Sequence, residues 1–267
     1  MYDYDRRTAG VIKPPPKVLE DLRSAMYDII CGQVWFIQEQ WLKMADISRD
    51  NRADALSMIQ FCKRYASKPK YYKRPARVKV PVNLNGWSYL DSDEKALALS
   101  KLPQITLNVY FKGSMQDPGF WQPRNALLRI VFSVSPPDLS GLKYFLNIVD
   151  SVLVHETRHV AQTLMEHAGK GKNLVSPSLQ NQDLDSEWAL RDIEFQPIVG
   201  DAIRNLRDEL NQTTPSERRS LVQKYVGEVP SKAFMLGSPP IKKLRKLDPK
   251  KWQSAVRDIY KGVSDLL

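Results

Sequence analysis

Val154-His155-Glu156-Thr157-Arg158-His159 is the stretch on which the reading of this chain turns. It lies inside a long segment of apolar periodicity and holds two of the protein's three histidines; the third, His167, follows in the same segment. Phe145, Ile148, Val149, Val152, Val160 and Leu164 recur at helical spacing, so the segment is predicted to be a helix. His155 and His159 are then one turn apart and project from the same face. That is the disposition two ligands of one metal ion require. Glu156 stands beside the first of them, at the position from which a carboxylate reaches a metal-bound water. The competing reading is a pair of core histidines satisfied by hydrogen bonds; it asks an otherwise apolar helix face to bury two polar rings, which is costly without partners.

On these residues the chain resembles the zincin metallopeptidases, in the branch where a downstream glutamate completes the metal site. The resemblance covers about residues 140 to 205 and departs from the usual pattern at Arg158, where an uncharged residue is the rule. It implies a zincin-like core, one zinc ion per chain held by His155 and His159, and Glu156 as general base in peptide-bond hydrolysis.

A catalytic zinc needs three protein ligands and an open position. His167 lies eight residues beyond His159, about 12 Å along an unbroken helix and off the face, so it is a poor third ligand. Glu194, in Asp192-Ile193-Glu194-Phe195-Gln196-Pro197, is the better one. The segment 185–210 has helical spacing, and Glu187, Leu190, Glu194, Ile198 and Asp201 fall along one line of it. Carboxylates recurring on an inward stripe need a cation or a hydrogen-bond partner. Glu187 is the reserve ligand, and Asp201 or Glu187 would orient a ligand histidine through its other nitrogen. The Glu-x-x-x-Asp pattern of thermolysin-like enzymes is missing because residue 198 is isoleucine; around Glu194 the chain is closer to small prokaryotic and phage-type zincins. Candidate oxyanion donors are Tyr144, Arg158 and Tyr225, with Arg158 alternatively pairing with a carboxylate on the third-ligand helix.

Around this core the chain reads as follows. Residues 1–16 form a flexible arm ending in three prolines. Residues 17–67 form an N-terminal helical subdomain, in which Gly32 is placed to kink the first helix. Residues 68–79 are a basic linker, interleaving Tyr71 and Tyr72 with lysines and arginines. Residues 80–210 hold the catalytic core. Its strands are expected where Val78, Val80 and Val82, then Ile105, Leu107, Val109 and Phe111, alternate with polar residues, and over 126–134, with a short helix at 93–101. Ser140 would cap the motif helix and Gly169 would end it. Residues 211–267 form a C-terminal helical subdomain, opened by the capping box Thr214-Pro215-Ser216-Glu217 and, further on, by Asp248-Pro249.

The fold expected is therefore α+β and mostly helical: a small antiparallel or mixed sheet packed on the motif helix, with helices before and after. Membrane spans are not expected, since Asp28 and Asp150 interrupt the best apolar runs, and the N-terminus lacks a signal peptide's apolar core, which points to the cytoplasm. Cys31 and Cys62 read as buried thiols without metal-ligand spacing. The net charge of +10 supports a rival function, a catalytically silent zincin-like protein that binds nucleic acid or a partner through the clusters at 68–79 and 242–251. The sequence leaves the oligomeric state and the substrate, beyond protein or peptide, open.

Overall fold

The computed structural model describes residues 12–44, 46–111, 119–132, 139–170, 192–232 and 248–267, with side chains at all of these except 132, 139–140, 192–196, 227–232 and 251. Among the described residues the chain is mostly helical, with seven α-helices and one small mixed sheet. It falls into two compact units, one of residues 14–160 and one that joins Ile12 and Lys13 to the residues after Val160.

In the first unit, helix α1 (Pro16–Leu42) starts with proline in its first turn, where a missing N–H costs nothing. Its buried stripe includes Val18, Leu22, Met26, Ile29, Ile30 and Val34. The helix runs through Gly32 without a break. The glycine serves a close approach instead. A Cβ at position 32 would lie 3.2 Å from the Lys68 carbonyl oxygen and 3.1 Å from Lys70 Cδ, and the Lys70 amide donates to the Gly32 carbonyl. The basic run is thereby laid across α1. Lys70 pairs with Asp28, Tyr71 packs on Phe36, and the Tyr72 amide donates to Gln33 Oε1.

Helix α2 (Arg49–Cys62), capped by Ser48, packs against α1 and brings Cys62 to Cys31. Both thiols are buried and reduced, and the hydrogen bond between them together with burial pushes the Cys31 thiol far above its ordinary range.

The sheet has strand order β1-β2-β4-β3, with β1 (Ala76–Pro81), β2 (Gln104–Phe111), β3 (Gly119–Gln122) and β4 (Leu127–Phe132). Pairs β1·β2 and β3·β4 are antiparallel and β2·β4 is parallel, so the sheet is mixed. A capping box at Asp91 and Glu94 opens the short helix α3 (Ser92–Lys101) between β1 and β2. Strand β3 was not expected; four residues, Gly-Phe-Trp-Gln, are too few for alternation to announce. The link from β3 to β4 is a single 3-10 turn, Pro123–Asn125, closed by Ala126 in the left-handed region at φ 47°.

One sheet face is core. Ala76, Val80, Ile105, Leu107, Val109, Trp121, Leu128 and Ile130 are all buried there. This face meets helix α4 (Leu139–His167) at Gly119, where a Cβ would lie 2.8 Å from Val152 Cγ1. Helix α4 begins one residue ahead of the Ser140 cap expected. It ends as expected at Gly169, which takes φ 79° while Lys170 donates to the Met165 carbonyl and Gly169 to that of Glu166. Arg23 of α1 donates from Nε to Asp150 of α4, fixing the two helices together.

In the second unit, helices α5 (Asp192–Asn211), α6 (Pro215–Lys232) and α7 (Pro249–Val263) share a core of Ile198, Val199, Ala202, Leu206, Leu210, Val222, Tyr225, Ala255, Ile259 and Val263. Pro197 and Gly200 do not end α5, which continues through both. Thr214 and Asp248 open α6 and α7 at the expected places. No helix among the described residues is long and apolar enough to cross a membrane.

Candidate metal centre

Helix α4 carries its polar groups in a setting made for apolar ones. From Glu156 to Met165 every residue is buried, including Glu156, Thr157, Arg158, His159, Gln162 and Thr163. A helical stretch enclosed on all sides normally reads as apolar throughout. Here His155, His159, Gln162, Thr163 and Glu166 stand four, seven, eight and eleven positions apart from the first, along one face. Thr157 spends its hydroxyl on the helix itself, donating to the Leu153 carbonyl over 2.6 Å. The remaining groups form a buried polar seam, with the paired histidines at its head. Glu156 and His159 are each 7% exposed, and His155 is half-buried.

The two imidazoles have the separation a shared ion would set. Their ring centroids lie 5.2 Å apart with the planes at 70°. A zinc–nitrogen bond of about 2.05 Å places a ring centroid about 3.2 Å from the metal. A centroid separation of 5.2 Å is shorter than twice that radius, so both rings can reach one ion. The donor set is also suited to zinc in kind, neutral imidazoles with a carboxylate beside them.

The other predicted site residues divide sharply. Glu187 and the side chain of Glu194 lie outside the described residues; the backbone of Glu194 is in the first turn of α5. Asp201 is half-buried on the same helix, near enough to Tyr225 to act on it electrostatically. Among the described residues, no three His, Cys, Asp or Glu side chains gather as a metal site.

Two of the expected oxyanion donors are displaced by the structure. Tyr144 sits eleven positions before His155 on one continuous helix, about 16 Å along its axis, and is 69% exposed, so it is out of reach of the imidazoles. Tyr225 is committed elsewhere. Its hydroxyl donates to the Ala202 carbonyl over 3.2 Å within the α5–α6–α7 core, and burial pushes the phenol above its ordinary range. Arg158 stays beside the histidines, three residues from His155 and buried.

No family model, curated protein or solved structure matches this chain.

Gln162 and Thr163 escaped the reading of the sequence. Two polar residues at the next turn of a helix pass as surface unless the whole helix is known to be enclosed. Their burial is what extends the site from a motif into a seam.

Proposed function

We propose that the chain is a zinc-dependent metallopeptidase in which His155 and His159 bind the metal and Glu156 moves the proton. The observation that carries this reading is the imidazole pair, 5.2 Å apart on consecutive turns of an enclosed helix, with the Glu156 carboxylate buried next to it. The same enclosed stretch also buries Glu156, Gln162 and Thr163, which surrounds the imidazole pair with polar groups. The sequence assigns the third ligand to Glu194, with Glu187 in reserve and Asp201 orienting a ligand histidine, and the zincin-like core belongs to the same proposal.

Zinc, when bound, supplies Lewis acidity, bringing the pKa of a coordinated water to about 7 and polarising the scissile carbonyl. The rest falls to the chain. His155 and His159 bind through neutral imidazole nitrogens, held by one rigid helix so that the pair needs no reorganisation. Glu156 takes the proton of the attacking water and returns it to the departing amine. Arg158, buried one turn from His155, is the donor left for the developing oxyanion.

Glu156→Gln is the decisive variant, because it keeps the shape of the side chain and removes only its basicity. Purified protein should digest unstructured polypeptide, stop on treatment with a chelator and resume when zinc is restored. Glu156→Gln should keep its zinc and lose about 100- to 10,000-fold in rate. Cleavage indifferent to chelator, or an unchanged rate in Glu156→Gln, would end the proposal.

A further inference from the structure

The four strands have a second face, and it is unlike the first. In register across the sheet, Arg77 of β1 lies opposite Asn108 of β2, Asn108 opposite Arg129 of β4, and Arg129 opposite Phe120 of β3. One row of side chains therefore runs from edge to edge of the sheet on the side away from the core. Lys79 and Tyr110 stand beside that row, two residues along their strands. Arg77, Lys79 and Phe120 are exposed, and Phe120 keeps 38% of its surface in water despite being a large apolar ring.

Arg129 is held by its flat faces. Its guanidinium carbon lies 4.6 Å from the Phe120 ring and 4.9 Å from the Tyr110 ring, at cation–π distance from both. Rings on the faces leave the guanidinium's in-plane N–H groups as its means of binding. Beside it, Asn108 is only 2% exposed, and its amide nitrogen donates to the Tyr110 hydroxyl. Its Oδ1 acceptor and the Arg129 Nε donor are both buried with no hydrogen-bond partner among the described residues.

Charge selects the class of ligand. None of the residues in the four strands is acidic, and Lys73 and Arg74, both exposed, lead directly into β1. A row of cations and a large ring exposed beside them together suit a chain of phosphates and bases. We infer that this outer sheet face is a binding surface for single-stranded nucleic acid, in which Phe120 stacks on a base and Arg77, Lys79 and Arg129 neutralise phosphates. This surface is separate from the proposed metal centre and stands or falls without it.

The test uses the full chain and a fluorescein-labelled oligothymidylate about 12 nucleotides long, followed by fluorescence anisotropy. Three phosphate contacts predict a log–log salt slope of about −2. Phe120→Ala should weaken binding about 5- to 100-fold, while Phe120→Tyr, which keeps the ring, should not. Arg77→Gln with Lys79→Gln should flatten the salt slope by about 1.4. Thermal melts matching the parent show that these surface variants fold. Failure of the parent to bind would overturn the inference, as would equal binding by Phe120→Ala. So would displacement of the oligonucleotide by polyglutamate as readily as by unlabelled oligothymidylate, which would mark the face as a docking site for acidic protein.

Discussion

Removing either ligand histidine should cost zinc affinity by an amount the geometry sets. Under the proposed function each of the two imidazoles, 5.2 Å apart, is a full ligand. Four-ligand zinc sites bind with about 10–16 kcal/mol, or about 3–4 kcal/mol per ligand, which is about 100- to 1000-fold in affinity. His155→Ala and His159→Ala should each weaken zinc by that factor in competition with a chromophoric chelator. Melting temperature gives an independent reading. Free zinc at about 1000 times the parent's Kd adds about 4 kcal/mol to the parent's stability, whereas a variant weakened about 100-fold gains about 1.4 kcal/mol under the same conditions. His167→Ala is the control, since eight residues of helix separate it from His159, and it should behave as the parent does. Equal zinc affinities in the three variants, or a parent that takes up no zinc, would refute the reasoning.

Other outcomes follow from the packing and the ion pairs. Gly119→Ala places a Cβ 2.8 Å from Val152 Cγ1 and 3.0 Å from Ile130 Cδ1, so it should destabilise by about 1–3 kcal/mol in urea melts; adding Val152→Ala should recover part of the loss. Tyr225→Phe removes one buried hydroxyl bonded to Ala202 and should cost about 1 kcal/mol in stability, with kcat unchanged; loss of an oxyanion donor would instead lower kcat about 100-fold or more. The Arg207 guanidinium donates to Asp265 over 2.6 Å and 2.8 Å and holds the carboxyl below its ordinary pKa. A lowered folded-state pKa gives stability that is present above the unfolded value, near pH 4, and is lost as pH falls through the folded value. Melting temperatures of Asp265→Asn and the parent should accordingly differ at neutral pH and converge at acid pH, the difference shrinking with added salt.

How far the fold was legible varies by element. Helix α4 could be read almost to its ends, because its apolar period is long and Gly169 supplies the backbone freedom that a left-handed stop needs. Helices α6 and α7 announced themselves through Thr214-Pro215 and Asp248-Pro249, where local hydrogen bonding and a fixed proline φ act within a few residues. Gly32 is harder to read for the complementary reason. A glycine inside a helix looks like a weakness from its neighbours alone, and only the crossing of residues 68–70, nearly forty positions away, reveals a contact too close for a Cβ unless Lys68 or Lys70 shifts. Tyr144 and Tyr225 are attractive as donors by residue type; the structure puts the first about 16 Å along the helix from His155 and spends the hydroxyl of the second on the Ala202 carbonyl.

The amino-acid sequence by itself determined that His155, Glu156 and His159 stand together, because the helical repeat alone, an interaction between near neighbours, sets them on consecutive turns. What only the tertiary structure decided was the company they keep. Burial of Gln162 and Thr163, the parallel pairing of β2 with β4 and the row from Arg77 to Phe120 across the sheet all join residues distant along the chain. Such pairings are fixed by long-range packing and strand register, which leave no local periodic trace.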